Sequence, residues 1–214
     1  MTPREISALV STILVIVGTT WYIHLALKGI KVKPVLATWI VLTVTMTLSF
    51  VSYLASPNPS IVNNACNGIS IFSTAAILIT AIRFNRQEGK GVNFNLFQKR
   101  SLMLSGWILI VWFVIILIWG FKGSGIVPNI LTQVLMLIGY AVNAERLWRA
   151  PRNTDSLFLW WCILGASGTA LYSGVITHDP LVILYGSRAT FGTLVLVILM
   201  YRVELRRSTT YCVT

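Results

Sequence analysis

Seven stretches of mostly apolar residues cover nearly all of this 214-residue chain. A helix needs about 20 such residues to cross the roughly 30 Å of hydrocarbon in a bilayer, because each residue adds about 1.5 Å. The stretches lie at residues 6–27, 34–54, 61–82, 102–121, 126–147, 156–176 and 181–201. They predict an all-α fold: a polytopic membrane protein with seven transmembrane helices and no additional soluble domain.

The composition excludes most other classes of protein. Hydrophobic residues make up 56% of the chain and charged residues only 11%, whereas a soluble domain is about 25% charged. The net charge of +11 arises because only 6 acidic residues accompany 17 basic ones, so it does not indicate a nucleic-acid partner. The expected partner at this point is the lipid bilayer, and a homo-oligomer is left open.

The basic residues predict the orientation in the membrane, since cytoplasmic loops carry an excess of Lys and Arg. Most of the basic residues fall in alternate loops and in the C-terminal tail, which places these segments together on one side. The N-terminus is therefore predicted outside and the C-terminus in the cytoplasm. The residues on the predicted cytoplasmic side are Lys28, Lys31, Lys33, Arg83, Arg86, Lys90, Lys99, Arg100, Arg146, Arg149, Arg152, Arg202, Arg206 and Arg207.

The loop pattern of the first three predicted helices recurs in the last three. A shift of 121 residues places Gly18 on Gly139 and Trp39 on Trp160. Because three crossings reverse the direction of the chain, one extra helix between the triplets would give both the same orientation. The predicted organisation is a three-helix repeat at 1–84, a basic cytoplasmic loop and linker helix at 85–124, a second repeat at 125–203 and a cytoplasmic tail at 204–214.

One loop carries a sequence typical of a known family. The segment from Asn143 to Trp161 has a basic loop with Thr154 and Asp155, followed by Leu157 at the start of the next helix. Together with the 3+1+3 layout, this segment resembles the SWEET sugar transporters and the wider PQ-loop group. Asn143 follows Val142 where family members have a Pro-Gln pair. The resemblance implies a transporter that moves a small polar solute, a sugar or small metabolite, by alternating access.

The third predicted helix carries a polar face. Asn63, Asn67, Ser70 and Thr74 are spaced by four, three and four residues, which places them on one side of a helix. Polar groups inside a bilayer mark either contacts between helices or the path of a solute. The resemblance implies that the solute lies between the third and seventh helices near their outer half, with asparagines on each, and Asn67 fits that role. We therefore predict Asn67, Ser70 and Thr74 as substrate-binding residues.

On the seventh helix, Ser187 and Arg188 lie at the level that matches Asn67, and Thr193 lies on the face that matches Thr74. We add these three to the predicted substrate-binding set. Arg188 is about seven residues into the predicted helix, where burial of a guanidinium costs at least about 2.5 kcal/mol. It could extend to the outer interface, pair with Asp179 or with carbonyls as a lock between helices, or bind a carboxylate or phosphate of the solute.

Further polar and aromatic positions allow two interpretations each. Tyr172 lies in a helix whose small residues indicate close packing, and it could form an aromatic wall for a ring-shaped solute. Asn143 ends a polar stripe on the fifth helix that includes Asn129, Gln133 and Tyr140. We expect Asn143 either to act at an inner gate or to form a hydrogen bond between helices. Trp39 and Trp160 begin their helices near the predicted cytoplasmic interface, where they serve as anchors or close an inner gate.

The sequence gives no indication of catalysis. It contains no HExxH, GxSxG or Walker A run, and its two histidines alone cannot form a catalytic metal site. No two acidic residues lie within one predicted helix, which leaves no carboxylate pair for hydrolysis or proton coupling. The three cysteines show no paired spacing. We predict no enzyme, cofactor or metal site, and transport by facilitated diffusion; the alternative is a non-transporting membrane receptor or scaffold of the same fold.

Overall fold

The computed structural model describes residues 1–29, 32–55, 60–62, 64–87, 94–119 and 126–211. This part of the chain forms seven α-helices, each long and apolar enough to cross a membrane, which confirms the predicted seven-helix membrane protein. The helices are α1 (Pro3–Leu27), α2 (Leu36–Leu54), α3 (Ala65–Gln87), α4 (Leu96–Trp119), α5 (Ile126–Arg149), α6 (Leu157–Thr177) and α7 (Pro180–Tyr211). Of the residues named above, Lys31, Asn63 and Lys90 lie outside the described ranges.

Side-chain caps explain where several helices begin. Before α1, Thr2 Oγ1 accepts a hydrogen bond from the Glu5 amide, and the Glu5 carboxylate accepts one from the Thr2 amide. Asn95 and Gln98 form the same reciprocal pair before α4, so α4 begins at Leu96 rather than at the predicted residue 102. Each pair satisfies amide groups that a helix N-terminus otherwise leaves without an acceptor.

The helices pack in a pattern that repeats in the two halves of the chain. Helix α3 packs against α1 and α2, and α7 packs in the same way against α5 and α6. The two triplets meet where α1 packs on α6 and where α2 packs on α5. The packing is therefore symmetric: when α1 is matched with α5, α2 with α6 and α3 with α7, every packed pair named here corresponds to another packed pair. We call α1–α3 the first triplet and α5–α7 the second triplet.

Two glycines allow the triplets to approach closely. A Cβ added to Gly18 of α1 would lie 2.7 Å from Cys162 Cβ of α6, and one added to Gly139 of α5 would lie 2.9 Å from Leu42 Cδ2 of α2. Real Cβ atoms essentially never show contacts below 3.0 Å. A Cβ at position 18 would therefore force the helices apart, because it meets the Cβ of Cys162, whereas one at position 139 would displace the flexible end of the Leu42 side chain. The two glycines are 121 residues apart, and each lies at the equivalent crossing between the triplets.

Helix α4 lies on the outside of the bundle. It packs against α5 and touches α2, and large apolar side chains such as Leu117 and Ile118 are exposed. Trp112 is its main inward-facing residue: it is buried, and its Nε1 donates a hydrogen bond to Ser52 Oγ of α2 at 3.3 Å. This placement leaves the two triplets in direct contact with each other, with α4 connecting them from the side.

Candidate functional site

A cavity lies between the two triplets, and α3 and α7 face each other across it. Its walls come from α1, α2 and α3 on one side and from α5, α6 and α7 on the other. The volume is about 40 Å³, which is room for one or a few water molecules, whereas sites for small molecules commonly span about 300–1,000 Å³. The hydroxyl-bearing residues that line it are Thr19, Ser70, Ser73, Thr74 and Ser167, with Tyr140 and Tyr185.

Four aromatic residues close the cavity toward the end of the bundle that carries most of the basic residues, which we call the basic end. Trp39 of α2 and Trp160 of α6 stack with ring centres 6.4 Å apart and planes at 25°. Tyr22 packs on Trp39 at 5.5 Å, and Tyr140 packs on Trp160 at 6.2 Å. We call this set the aromatic layer. All four side chains are buried, and the central stack joins equivalent residues of the two triplets.

A polar network lies on the basic-end side of the aromatic layer. Arg146 Nη2 forms an ion pair with Asp155 Oδ2 at 2.7 Å, and Asn143 Nδ2 donates to the same oxygen at 3.2 Å. Arg146 Nη1 donates to the Lys33 carbonyl at 3.0 Å, and the Lys33 amide donates to the Thr154 carbonyl at 2.8 Å. These five residues form what we call the basic-end network. Because Lys33 precedes α2, the network links the two triplets.

The opposite end is closed by a separate contact between the triplets. Tyr53 of α2 donates a hydrogen bond from its hydroxyl to Asp179 Oδ2 at 2.7 Å. Asp179 Oδ1 accepts from the amide of Leu181 at the start of α7, so the carboxylate also caps that helix. Nearer the cavity, Cys66 Sγ of α3 lies 3.5 Å from the Tyr185 hydroxyl of α7. Contacts that cross between the triplets therefore lie toward both ends of the bundle, on either side of the cavity.

Arg188 lies inside the bundle beside this cavity, at only 8% exposure. Its Nε donates to Gln133 Oε1 of α5 at 2.6 Å. The guanidinium carbon lies 5.2 Å from the centre of the Tyr185 ring and 5.8 Å from that of Tyr140. Nη1 and Nη2 are buried and have no hydrogen-bond partner within the described chain. The head group is therefore not at an interface, and Asp179 is bonded to Tyr53 instead.

The polar residues predicted on α3 lie in two settings. Ser70 and Thr74 line the cavity, and their hydroxyls donate to the carbonyls of Cys66 and Ser70 within the same helix. Asn67 is buried but turned toward α2, where its Nδ2 donates to Asn64 Oδ1 at 2.8 Å and to Ser49 Oγ at 3.4 Å. The face predicted from the spacing is thus inward, with its hydroxyls beside the cavity and Asn67 beside α2.

Three other predicted residues do not line the cavity. Tyr172 is 58% exposed and Ser187 is exposed, both on the outer surface of the bundle. Thr193 is fully buried, and its Oγ1 has no hydrogen-bond partner among the described residues. Ser187 and Arg188 are adjacent, and about 100° separates successive residues around a helix. Only Arg188 therefore faces the interior.

Sequence reasoning did not select two residues that the fold places at this site. Tyr185 precedes Arg188 by one helical turn and packs on its guanidinium, a spacing that the sequence displays. Cys66, one of the three cysteines without paired spacing, lines the cavity. Trp160, for which the sequence allows an anchor or a gate, is buried at the cavity, and its Nε1 has no acceptor in the described chain.

The described residues offer donors and hydroxyls rather than a metal centre. Among them, no three His, Cys, Asp or Glu residues lie close enough together to hold a metal ion. The site combines a small cavity, two donor groups that lack acceptors in the described part of the chain, and contacts between the triplets toward both ends. The chain matches no protein-family model, and no significant similarity to a curated protein or to a solved structure was found.

Proposed function

We propose that this membrane protein transports a small polar solute, a sugar or small metabolite, by alternating access and without enzymatic chemistry. The solute would bind in the cavity between the triplets. The observation that carries the proposal is that this cavity lies between two sets of contacts that join the triplets, one toward each end of the bundle. Movement of one triplet against the other would break the closure at one end while keeping the closure at the other.

The two closures have the chemistry that such a movement needs. The aromatic layer and the basic-end network contain stacked rings, hydrogen bonds and one ion pair. The opposite closure includes the hydrogen bond from Tyr53 to Asp179. A hydrogen bond to a charged group contributes about 1.5–3 kcal/mol net, so breaking the contact from Tyr53 to Asp179 costs a few kcal/mol. Opening the basic end costs more, because it also separates an ion pair and buried rings. No covalent bond has to change.

The cavity volume supports assignment of this conformation to an occluded state of the transport cycle. At about 40 Å³ the cavity is too small for a sugar, so binding must widen it. The hydroxyls of Ser70 and Thr74 line one wall, and the Trp160 indole donor lines the other. Solute acceptors that reach Trp160 Nε1 would satisfy a buried donor, which supplies binding free energy.

Uptake into liposomes tests the proposal. The purified protein is reconstituted, and entry of radiolabelled sugars, amino acids and small organic acids is compared with that into protein-free liposomes. Asp155→Asn removes the ion pair of the basic-end network and is expected to change the uptake rate several-fold. Glu145→Gln, which removes a partly exposed ion pair with Arg149 on the same side, is the matched control and should leave uptake unchanged. Absence of uptake for every solute would contradict the proposal.

A non-transporting receptor or scaffold is the second candidate, and the small cavity favours it. A protein that only presents its surfaces to partners needs no solute-sized cavity. Thermal unfolding across the same solutes separates the candidates, because a ligand that binds the folded state raises the melting temperature by mass action. A transporter should respond to at least one solute, whereas a scaffold should respond to none.

A further inference from the structure

We infer that the solute carries an oxyanion group, a carboxylate or a phosphate, and that Arg188 binds it through Nη1 and Nη2. This inference rests on the proposed transport function. Arg188 is more than nine-tenths buried, and Nε is its one nitrogen with a hydrogen-bond acceptor among the described residues. Nη1 and Nη2 form the outer edge of a planar fork, which matches the two oxygens of a carboxylate or phosphate.

The positive charge of Arg188 has no ionic partner in the described part of the chain. Each acidic residue described there has another role: Glu5 caps α1 with Thr2, Glu145 pairs with Arg149, Asp155 pairs with Arg146, Asp179 accepts from Tyr53, and Glu204 accepts from Asn153. A buried charge is costly unless it is paired. An anionic ligand would supply the pairing that these carboxylates do not.

The surroundings of Arg188 hold the side chain in place while leaving the fork free. Gln133 Nε2 donates to Asn129 Oδ1 at 3.0 Å, which fixes the amide so that Oε1 faces Arg188 Nε. Tyr140 and Tyr185 pack within 6 Å of the guanidinium. The three residues that contact Arg188 are uncharged types, so none of them neutralises the charge. The arrangement orients the guanidinium without occupying its two outer nitrogens.

The position of the guanidinium favours a free solute over a lipid headgroup. Tyr140 and Tyr185, which flank it, also line the cavity, and Arg188 itself is buried between α7 and α5. Arg188 is not one of the lining residues, so a solute in the cavity would reach Nη1 and Nη2 when the two rings separate. A neutral sugar would leave the charge unpaired, whereas an oxyanion would pair with it.

Ligand-induced thermal stabilisation of the purified protein tests the inference. The probes are succinate and inorganic phosphate, with succinamide and glucose as neutral counterparts and sodium chloride at equal ionic strength as the salt control. At least one oxyanion should raise the melting temperature of the unaltered protein, and the neutral probes and salt should not. Arg188→Gln should weaken the apparent affinity for that oxyanion about 100-fold, since two charge-assisted hydrogen bonds are lost. Arg83→Gln, at an exposed position of α3, should leave it unchanged.

The same measurements separate failure of this inference from failure of the transport proposal. Equal stabilisation by succinate and succinamide, or by sodium chloride, would overturn the inference from the unaltered protein alone, even if Arg188→Gln does not fold. Uptake of a neutral solute that Arg188→Gln leaves intact would also overturn it, while the transport proposal stands. Arg188→Lys keeps the charge but not the planar fork. It should bind the oxyanion more weakly than the unaltered protein and more tightly than Arg188→Gln.

Discussion

Gly18 lies where α1 crosses α6, and a Cβ there would lie 2.7 Å from the Cβ of Cys162. We predict that Gly18→Ala destabilises the protein by about 1–3 kcal/mol, because overpacking of a well-packed contact forces helices apart. Thermal unfolding in detergent measures the effect. Gly168→Ala on α6, where a Cβ would meet nothing within 4 Å, is the matched control and should not lower the melting temperature. Equal stability of the two variants would contradict the close crossing.

The spacing of the polar residues predicted correctly some side chains that face the interior of the bundle, but it also assigned to the interior some that face outward. Ser70 and Thr74 line the cavity as their spacing indicated, whereas Tyr172 and Ser187 face outward. In water a polar residue marks the outer face of a helix, but lipid and protein interior are both apolar. Hydropathy therefore does not distinguish the two faces. The hydrogen bond from Arg188 to Gln133 could not be predicted either, because it depends on how α7 is rotated about its axis relative to α5.

Helix α4 contacts the rest of the protein through few side chains, and Trp112 is the one with a hydrogen bond to another helix among those described. We predict that Trp112→Phe lowers the stability by about 1 kcal/mol, because it removes the hydrogen bond to Ser52 and part of a buried ring. Trp107→Phe on the same helix is the control, since Trp107 is 60% exposed. Thermal unfolding of both variants measures the difference, and equal melting temperatures would contradict the docking of α4 through Trp112.

The apolar stretches of the sequence predicted that all seven helices exist, but not the residues at which they begin and end. The prediction ended the last helix at residue 201, where charged residues begin, while α7 continues to Tyr211. Helices extend beyond the hydrocarbon wherever backbone hydrogen bonds can continue, so hydropathy marks the membrane rather than the helix. At α4 the missed signal was present in the sequence: Asn95 and Gln98 have the spacing of a capping box.

For the whole molecule, the distribution of basic residues predicts that the two ends of the chain lie on opposite sides of the membrane. Seven crossings require this, and the positive-inside rule places the basic end and the C-terminus in the cytoplasm. Protease or antibody access to tags at each end of the chain in intact cells measures the orientation. The N-terminal tag should be reached from outside and the C-terminal tag only after permeabilisation. Equal access to both tags would contradict the prediction.

The symmetry of the packing could be predicted from the sequence only in outline. The shift of 121 residues that relates Gly18 to Gly139 and Trp39 to Trp160 includes few identities. The fold places the first pair at equivalent crossings and stacks the second pair across the boundary between the triplets. The shift could not predict the contacts between the triplets at the two ends, because one end has stacked rings and an ion pair and the other a hydrogen bond from Tyr53 to Asp179. Those contacts differ because opposite ends of the cavity must open separately under the proposed mechanism.

The closure at the end opposite the basic end gives the most direct test of that mechanism. Tyr53→Phe removes the hydrogen bond to Asp179, which should favour opening at that end. Cys66 is buried and lines the cavity near that closure. In a background with Cys162→Ala and Cys212→Ser, a membrane-impermeant thiol reagent added from that side should therefore modify Cys66 about 10–100-fold faster in Tyr53→Phe, the factor expected for loss of one hydrogen bond to a carboxylate.

Asp155→Asn weakens the other closure, at the basic end, and should shift the population toward the state open at that end. Modification of Cys66 from the opposite side should then be slower than in the background protein, because fewer molecules are open there. Tyr172→Phe, at an exposed tyrosine, is the matched control and should leave the rate unchanged. Opposite changes in Tyr53→Phe and Asp155→Asn follow only if the two closures belong to one coupled equilibrium. Rates that stay equal, or rise in both variants, would mean that the ends open independently, and alternating access would have to be abandoned.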